Sequence, residues 1–376
     1  MNKIDPNLIK QVDMLSSGKN SVECLIYSNN FYLTKKYLQN YNIKEFPFIK
    51  AFGLNVKKEN LFNLASLCHI DYITSETKVS TQINVAKNVI GINNFYKENI
   101  FGKNITVAVI DTGIYPHIDF LCPQNKIIGF KDFVNNKDFP YDDNGHGTFV
   151  SGIIGGSGNI NKNYMGVAPK CKIISLKALN HNGETGAFTI LDAMQWVYDN
   201  KEKYNIKVVC MSFGATPLNS NDPLMKGAEK LWNNGIVVVA AAGNSGPESE
   251  TIKSPGVSSK IITVGALNDN RNEKEECFNE NFEIADFSSR GPAFNYYKPD
   301  CVANGVNIKG LKNSKEFFTT MSGTSVATPI VAGVCALIIE KYPKITPNQV
   351  KYLIINNCES ITKDKNLEGF GLIKIN

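Results

Sequence analysis

Four polar residues stand where apolar runs begin or end. Asp111 closes "ITVAVIDTG", His146 lies between glycines in "DDNGHGTFVSGIIGG", Asn244 closes "VVVAAAGNSG", and Ser325 in "SGTSVATP" precedes "PIVAGVCALIIEKY". Each alone has an ordinary structural reading. Asp111 can cap its turn, Gly-Asn-Ser-Gly is a turn signal, and Ser325 fits a helix N-cap with proline in the first turn. A lone histidine is most often structural. Together, however, they are the groups that acyl transfer needs. Serine is a weak nucleophile until a base takes its proton. The imidazole needs a carboxylate to fix its tautomer and stabilise its charged form. The tetrahedral oxyanion needs donors, and an Asn amide with a helix-start N–H supplies them.

The elements around these residues have a consistent grammar. From residue 104 the strand-like runs lack alternation: "ITVAVID", "KIISLKAL", "KVVCMSFG", "GIVVVAAAG" and "IITVGAL". Helix-like segments fall between them, such as "GAFTILDAMQWVYDNKEKY" and "NDPLMKGAEKLWNNG". This pattern predicts an α/β fold, a doubly wound, mostly parallel sheet with helices on both faces. In such sheets functional residues gather at the carboxyl ends of the strands. Ahead of this lies a different unit. Residues 21–81 read β-α-β(β)-α-β, the order of a small α+β ferredoxin-like fold. Residues 1–20 are polar and read as a loosely held segment, and 77–90 read as a linker.

The motifs "VIDTGI", "DNGHGTFVSG", "AAAGNSG" and "SGTSVATP" resemble the four signatures of subtilisin-like serine proteases, in that family's order Asp, His, Asn, Ser. The resemblance covers roughly 82–376 and extends to "GVAP", "VVCMSFG", "SPGVSSKIITVGA" and "FSSRGP". It implies a serine endopeptidase in which Asp111 orients His146, His146 is base and then acid, Ser325 is the nucleophile and Asn244 donates to the oxyanion. It also implies that Met211, Ser212, Phe213 and Gly214 pair with extended substrate and line one wall of the first specificity pocket, with Ala241 and Gly243 on the other wall. The substrate is then a peptide or protein held as an added strand. Residues 21–81 resemble the family's propeptide, an intramolecular chaperone and inhibitor, with a self-cleavage point expected within 76–84. An unrelated small domain has the same element order. A catalytically silent binding protein and a dedicated processing protease for one precursor are the other functional readings.

Some positions depart from the family pattern. Val326 stands where Met is usual, Phe149 where a second His is frequent, and Ser245 where some members carry an acid. Lys253 falls near the floor of the first specificity pocket, where small residues are common. It would favour a carboxylate or amide there, or else extend its ammonium to solvent. No cofactor is implied. Gln82 and Asp119 match positions that bind a structural calcium ion in many relatives, but the loop 157–164 matches poorly.

Bulk composition agrees with a globular protein. The 376 residues are 43% hydrophobic and 20% charged. The net charge of +5 is scattered, with no basic stripe, which argues against a nucleic-acid partner. The first residues hold no signal-peptide core, and no continuous apolar run reaches the ~18 residues of a membrane span. The nine cysteines include no CxxC and have irregular spacing, as expected of a reducing compartment. The expected location is therefore cytoplasmic, with export by another route left open, and no membrane partner is expected.

Overall fold

The computed structural model describes residues 3–13, 21–75, 78–80, 91–270 and 282–375. The front unit runs α1 (Pro6–Asp13), β1 (Ser21–Ser28), α2 (Phe31–Tyr37), β2 (Ile43–Phe46), β3 (Ala51–Lys57), α3 (Lys58–Ser66) and β4 (Ile70–Ser75). Its four strands pair antiparallel in the order β2-β3-β1-β4. This is the strand order of a split βαβ unit.

Alternation along the strands gives this sheet two apolar faces. Cys24 and Ile26 of β1, with Phe52, Leu54 and Val56 of β3, pack under the unit's own helices. Leu25 and Tyr27, with Ala51, Phe46 and Phe48, join the core of the larger unit instead. The expectation of a loose segment over 1–20 fails for residues 3–13. Ile4 bridges to Ile73, and α1 places Leu8 and Val12 in the front unit's core. Leu8 and Val12 are four residues apart and so share one face of α1, while Ile4 reaches the same core from the bridge that precedes the helix.

A short strand, β5 (Lys78–Ser80), and α4 (Asn93–Lys97) lead into the larger unit. There the unalternating runs form β6 (Thr106–Asp111), β7 (Ile127–Asp132), β8 (Lys172–Lys177), β10 (Ile206–Met211), β11 (Val237–Ala241), β12 (Ile262–Asn268) and β14 (Cys301–Asn304). The intervening short strand is β9 (Glu184–Gly186), and β13 (Glu283–Ile284) pairs antiparallel with β12. Two edge strands, β17 (Cys358–Glu359) and β18 (Leu372–Ile373), complete the order β17-β18-β14-β12-β11-β10-β6-β8-β7. From β18 to β7 every neighbour pair in that order is parallel. A separate hairpin is built from β15 (Ile308–Leu311) and β16 (Phe318–Met321).

Helices α5 (Ile118–Leu121), α6 (His146–Gly155), α7 (Ala187–Tyr204), α8 (Pro223–Asn233), α9 (Thr324–Lys341) and α10 (Pro347–Asn356) connect the strands. Helices α6 and α9 pack together over β6 and β10–β12, while α7 and α8 pack together against β6, β10 and β11 from the other side. The sheet is therefore covered on both faces, and the doubly wound reading holds. Helix α9 is long and apolar enough to cross a bilayer, yet 89% of that stretch is buried within the protein, as the core helix of the sheet.

Strand order reverses direction at β6. The chain goes one way to β8 and β7 and the other way to β10, β11 and β12. The crevice at the carboxyl ends of β6 and β10 is where such a sheet binds ligands.

The front unit's dependence on α1 is testable. Leu8 is fully buried, so Leu8→Ala should cost the front unit about 2–5 kcal/mol. Hydrogen exchange should show β1 and β3 amides losing protection while β6 and β10 keep theirs. Unchanged protection in β1 and β3 would show that α1 is dispensable.

Candidate functional site

Asp111 ends β6 and His146 begins α6. The His146 Nδ1 lies 2.7 Å from Asp111 Oδ1, and both residues are buried. An ionised carboxylate only accepts, so Nδ1 carries the proton and Nε2 is the basic nitrogen of the neutral ring. Asp111 Oδ1 also accepts from the Thr112 N–H at 2.7 Å.

A second carboxylate, Asp142, fixes this pair. Its Oδ1 accepts from Thr112 Oγ1 (2.9 Å), Asn144 N (3.1 Å) and Gly145 N (2.8 Å). Its Oδ2 accepts from Thr148 N (2.8 Å) and Thr148 Oγ1 (2.6 Å). Thr112 Oγ1 in turn accepts from Gly147 N at 2.8 Å. Asp142 thereby caps α6 and ties it to the turn after β6. Position 147 must be glycine because a Cβ there would overlap the Gly113 carbonyl oxygen. The buried Lys177 Nζ joins the same turns, donating to Thr112 O (2.6 Å) and Leu179 O (3.0 Å) and pairing with Asp143 (2.5 Å). Burial pushes the neighbouring Cys210 thiol up to about 12, and the Asp111 charge adds to the shift. That thiol stays protonated beside the carboxylate.

Ser325 lies in the first turn of α9 and is 2% exposed. Thr324 beside it anchors the turn after β11. The Thr324 N–H and Oγ1 both donate to Asn244 Oδ1 at 2.9 Å, and Gly243 N donates to Thr324 Oγ1 at 3.1 Å. With Oδ1 turned to Thr324, the amide's NH2 end faces the opposite way. A cleft of about 190 Å³ is lined by Ser325, Asn244, Ser212–Thr216, Ala241, Gly243, Ser245 and Lys253.

The sequence-derived residues fall into two groups at this sheet end, Asp111 with His146 and, around the cleft, Ser212, Phe213, Gly214, Ala241, Gly243, Asn244, Lys253 and Ser325. Met211 is fully buried at the end of β10 and does not line the cleft. A central strand covered on both faces turns each side chain into one layer or the other, and the wall begins only where the strand ends, at Ser212. Sequence reasoning missed Asp142, Thr324 and β9. Asp142 was legible only as part of a polar turn, and β9 has no hydrophobic pattern. Strand β9 pairs antiparallel with β5, matching Lys78 with Gly186, Val79 with Thr185 and Ser80 with Glu184. It follows the loop whose Ala178 and Leu179 N–H groups bond Asp111 O, and whose His181 O accepts from Asn144. The front unit's last described strand therefore runs to the end of the sheet that carries Asp111 and His146.

The expected calcium site does not fit Asp119. Its Oδ2 and Oδ1 accept from the N–H groups of Gly158 (3.0 Å) and Ile160 (3.2 Å). The loop thus turns donors toward the carboxylate, where a calcium ion needs oxygens. The nearby carbonyls of Gly155 and Pro169 are held by the Lys126 ammonium, whose pKa burial pushes down to about 8. Gln82 lies outside the described residues. No group of three or more His, Cys, Asp or Glu side chains able to hold a metal occurs among the described residues. Among them, too, the eight cysteines are free thiols.

A doubly wound parallel sheet with an Asp–His pair and a Ser–Asn cleft at its switch point is a subtilisin-like architecture. The subtilase family (peptidase S8) profile matches residues 102–371, and the chain belongs to that family. It is 42% identical over 300 residues to the serine protease AprX of Bacillus subtilis, a match covering 73% of this chain and 66% of that protein. It is 30% identical over 333 residues to a thermostable alkaline protease of Halalkalibacterium halodurans, covering 88% of this chain and 83% of the relative. Fervidolysin from Fervidobacterium pennivorans, a keratinolytic enzyme related to subtilisin, superposes with a TM-score of 0.76 at 22% identity, covering 96% of this chain and 61% of its own. So broad a coverage takes in the front unit as well as the large sheet.

Two outcomes test the site's construction. Asp142→Ala strands several buried donors at ~1–3 kcal/mol each and should lower the melting temperature by several degrees, whereas an exposed Asp→Ala change should not. Asp119→Asn should leave any response of the melting temperature to calcium or EDTA as it is in the wild type, because an ion bound at Asp119 would raise that temperature by mass action. A calcium-dependent rise lost in Asp119→Asn would overturn the reading of Asp119.

Proposed function

We propose that this chain is a subtilisin-like serine endopeptidase, made with its front unit as an intramolecular inhibitor and severed from it by its own Ser325. The observation that carries the reading is the 2.7 Å Asp111–His146 pair at the same sheet end as the cleft lined by Ser325 and Asn244.

In this reading, His146 Nε2 removes the Ser325 Oγ proton as Oγ attacks the scissile carbonyl. The tetrahedral oxyanion takes hydrogen bonds from Asn244 Nδ2 and the Ser325 N–H, the latter aided by the positive end of α9. The protonated His146 then gives its proton to the departing amine, leaving an ester on Ser325. Water, activated by the same imidazole, hydrolyses that ester and restores the hydroxyl. Asp111 stays ionised throughout and stabilises the imidazolium. Asn244 is suited to its role because its Oδ1 is committed to Thr324.

Substrate backbone adds to β9 as a strand, in the way that Lys78–Ser80 does. The front unit supplies the rest of its own hold through its second apolar face. Phe46 and Phe188 pack as tilted rings 5.9 Å apart, Phe48 N donates to Gln195 Oε1 at 3.1 Å, and Asn219 Nδ2 donates to Asp5 Oδ2 at 2.6 Å. The self-cleavage bond is expected within 76–84, of which 76–77 and 81–84 lie outside the described residues.

The purified wild type and Ser325→Ala should differ in mass. The wild type should separate into a front fragment and a larger one, while the variant stays whole. An uncut wild type with no action on peptides would overturn the reading. Asn244→Ala should lower kcat by ~10²–10³-fold with KM little changed, measured on a chromogenic peptide after processing; a change confined to KM would remove Asn244 from the oxyanion site.

A further inference from the structure

We propose that the cleft selects a glutamate or aspartate at the scissile position, with the Lys253 ammonium as its recognition group. This rests on the endopeptidase reading and names the substrate class of that site.

Lys253 is not a surface lysine that happens to be near the cleft. Its stem runs between the cleft's two walls. A Cβ at Gly214, on the β10 side, would lie 2.5 Å from Lys253 Cβ, and a Cβ at Gly243, on the β11 side, would overlap Lys253 Cγ. Both walls are thus reduced to bare backbone where the lysine passes. The root of the side chain is clamped from each side. Lys253 N donates to Ala242 O at 2.8 Å, and Ser254 exchanges two hydrogen bonds with Ala215, at 2.8 and 2.9 Å. The direction of the stem is therefore fixed by the backbone that builds the walls.

The chemistry of the lining matches. No acidic side chain lines the cleft, and Lys253 has no carboxylate partner among the described residues. Apart from Phe213 and Asn244, the remaining lining is small or hydroxylic: Ser212, Thr216, Ser245, Thr324, Ser325, two alanines and two glycines. A glutamate entering this space meets an ammonium in a site that substrate itself closes to water, where a charge-assisted hydrogen bond is strongest. A leucine or phenylalanine would instead strip water from that ammonium and offer no partner, which is penalised. The same lysine thereby attracts acidic residues and rejects large apolar ones.

The experiment compares kcat/KM of the processed protein on peptides identical except for Glu, Asp, Gln, Leu, Phe or Lys at the scissile position. The wild type should favour Glu over its neutral isostere Gln by roughly tenfold or more. Lys253→Met keeps the stem's bulk and should bring the Glu/Gln ratio to about one while raising Leu and Phe. Lys253→Glu should move the preference to Lys. Circular dichroism melts check that the variants fold. A wild-type preference for Leu or Phe over Glu, or a Glu/Gln ratio that survives in Lys253→Met, would overturn the proposal and leave the endopeptidase reading intact. If the wild type, like Ser325→Ala, cleaves no peptide in the series, the endopeptidase reading falls and this proposal with it.

Discussion

The arrangement of the site hangs on one buried carboxylate that takes no part in the proposed chemistry. Asp142 receives hydrogen bonds from two backbone turns and one helix start, across Thr112, Asn144, Gly145 and Thr148. The chain leaving β6 and the chain entering α6 belong to segments separated by more than thirty residues. Nothing in the sheet ladder itself brings them together. The sheet delivers Asp111 to its carboxyl edge, and Asp142, with Thr112, Lys177 and the backbone bridge from Gly113 to Asp142, sets the angle at which His146 meets it. An unpaired acceptor of this kind would be costly in the interior; fully satisfied, it makes the local geometry unique. The other half of the site is built in the same manner with a neutral pair. Thr324 and Asn244 bond each other, so the start of α9 and the turn after β11 cannot move independently.

The front unit solves a different problem. A four-stranded sheet with helices on one face leaves its second face apolar, and a unit of this size has little core to spare. Burying Leu25, Tyr27, Phe46 and Phe48 against α7 and α8 supplies what the unit lacks, at about 1.5–3 kcal/mol for each large side chain removed from water. Docking and folding of the front unit are thus coupled energetically. The polar rim refines the fit: the Lys44–Asp192 ion pair crosses the interface, and burial raises the Asp192 pKa while Lys44 opposes that shift. The partly exposed pair contributes less than the aromatic contacts do.

How much of this was legible depended on whether the signal was a residue type or a relation. Asp111, His146, Asn244 and Ser325 announce themselves by chemistry and by standing at the ends of apolar runs. The parallel sheet was legible because its strands are buried on both faces and carry no alternation. Helix α1 escaped because two turns carrying Leu8 and Val12 among polar residues give too short a period to separate from coil. Met211 was misplaced because sequence marks a strand's end only to within a residue or two, and at that end one residue decides between core and cleft. Strand β9 could not be seen at all. Glu-Thr-Gly has no pattern of its own, and its identity as a strand comes from the partner that pairs with it. Asp119 shows the converse. Its position in a motif was legible, but its function turns on whether the following loop offers carbonyls or N–H groups, and that is a matter of backbone direction.

The Lys253 stem gives the clearest case of sequence positions whose meaning is joint. The resemblance marked Gly214 and Gly243 as wall residues and Lys253 as lying near the pocket floor, but not that the three meet. Their contacts make them one unit: a Cβ at Gly214 would meet Lys253 Cβ and one at Gly243 would overlap Lys253 Cγ, so the stem passes because both walls are bare there. A substitution at any one of the three therefore has to be judged against the other two. The stem and its charge constrain the cleft in different ways. The methylenes occupy space between the walls whatever the end group, whereas the ammonium decides which side chains are favoured in the space that remains.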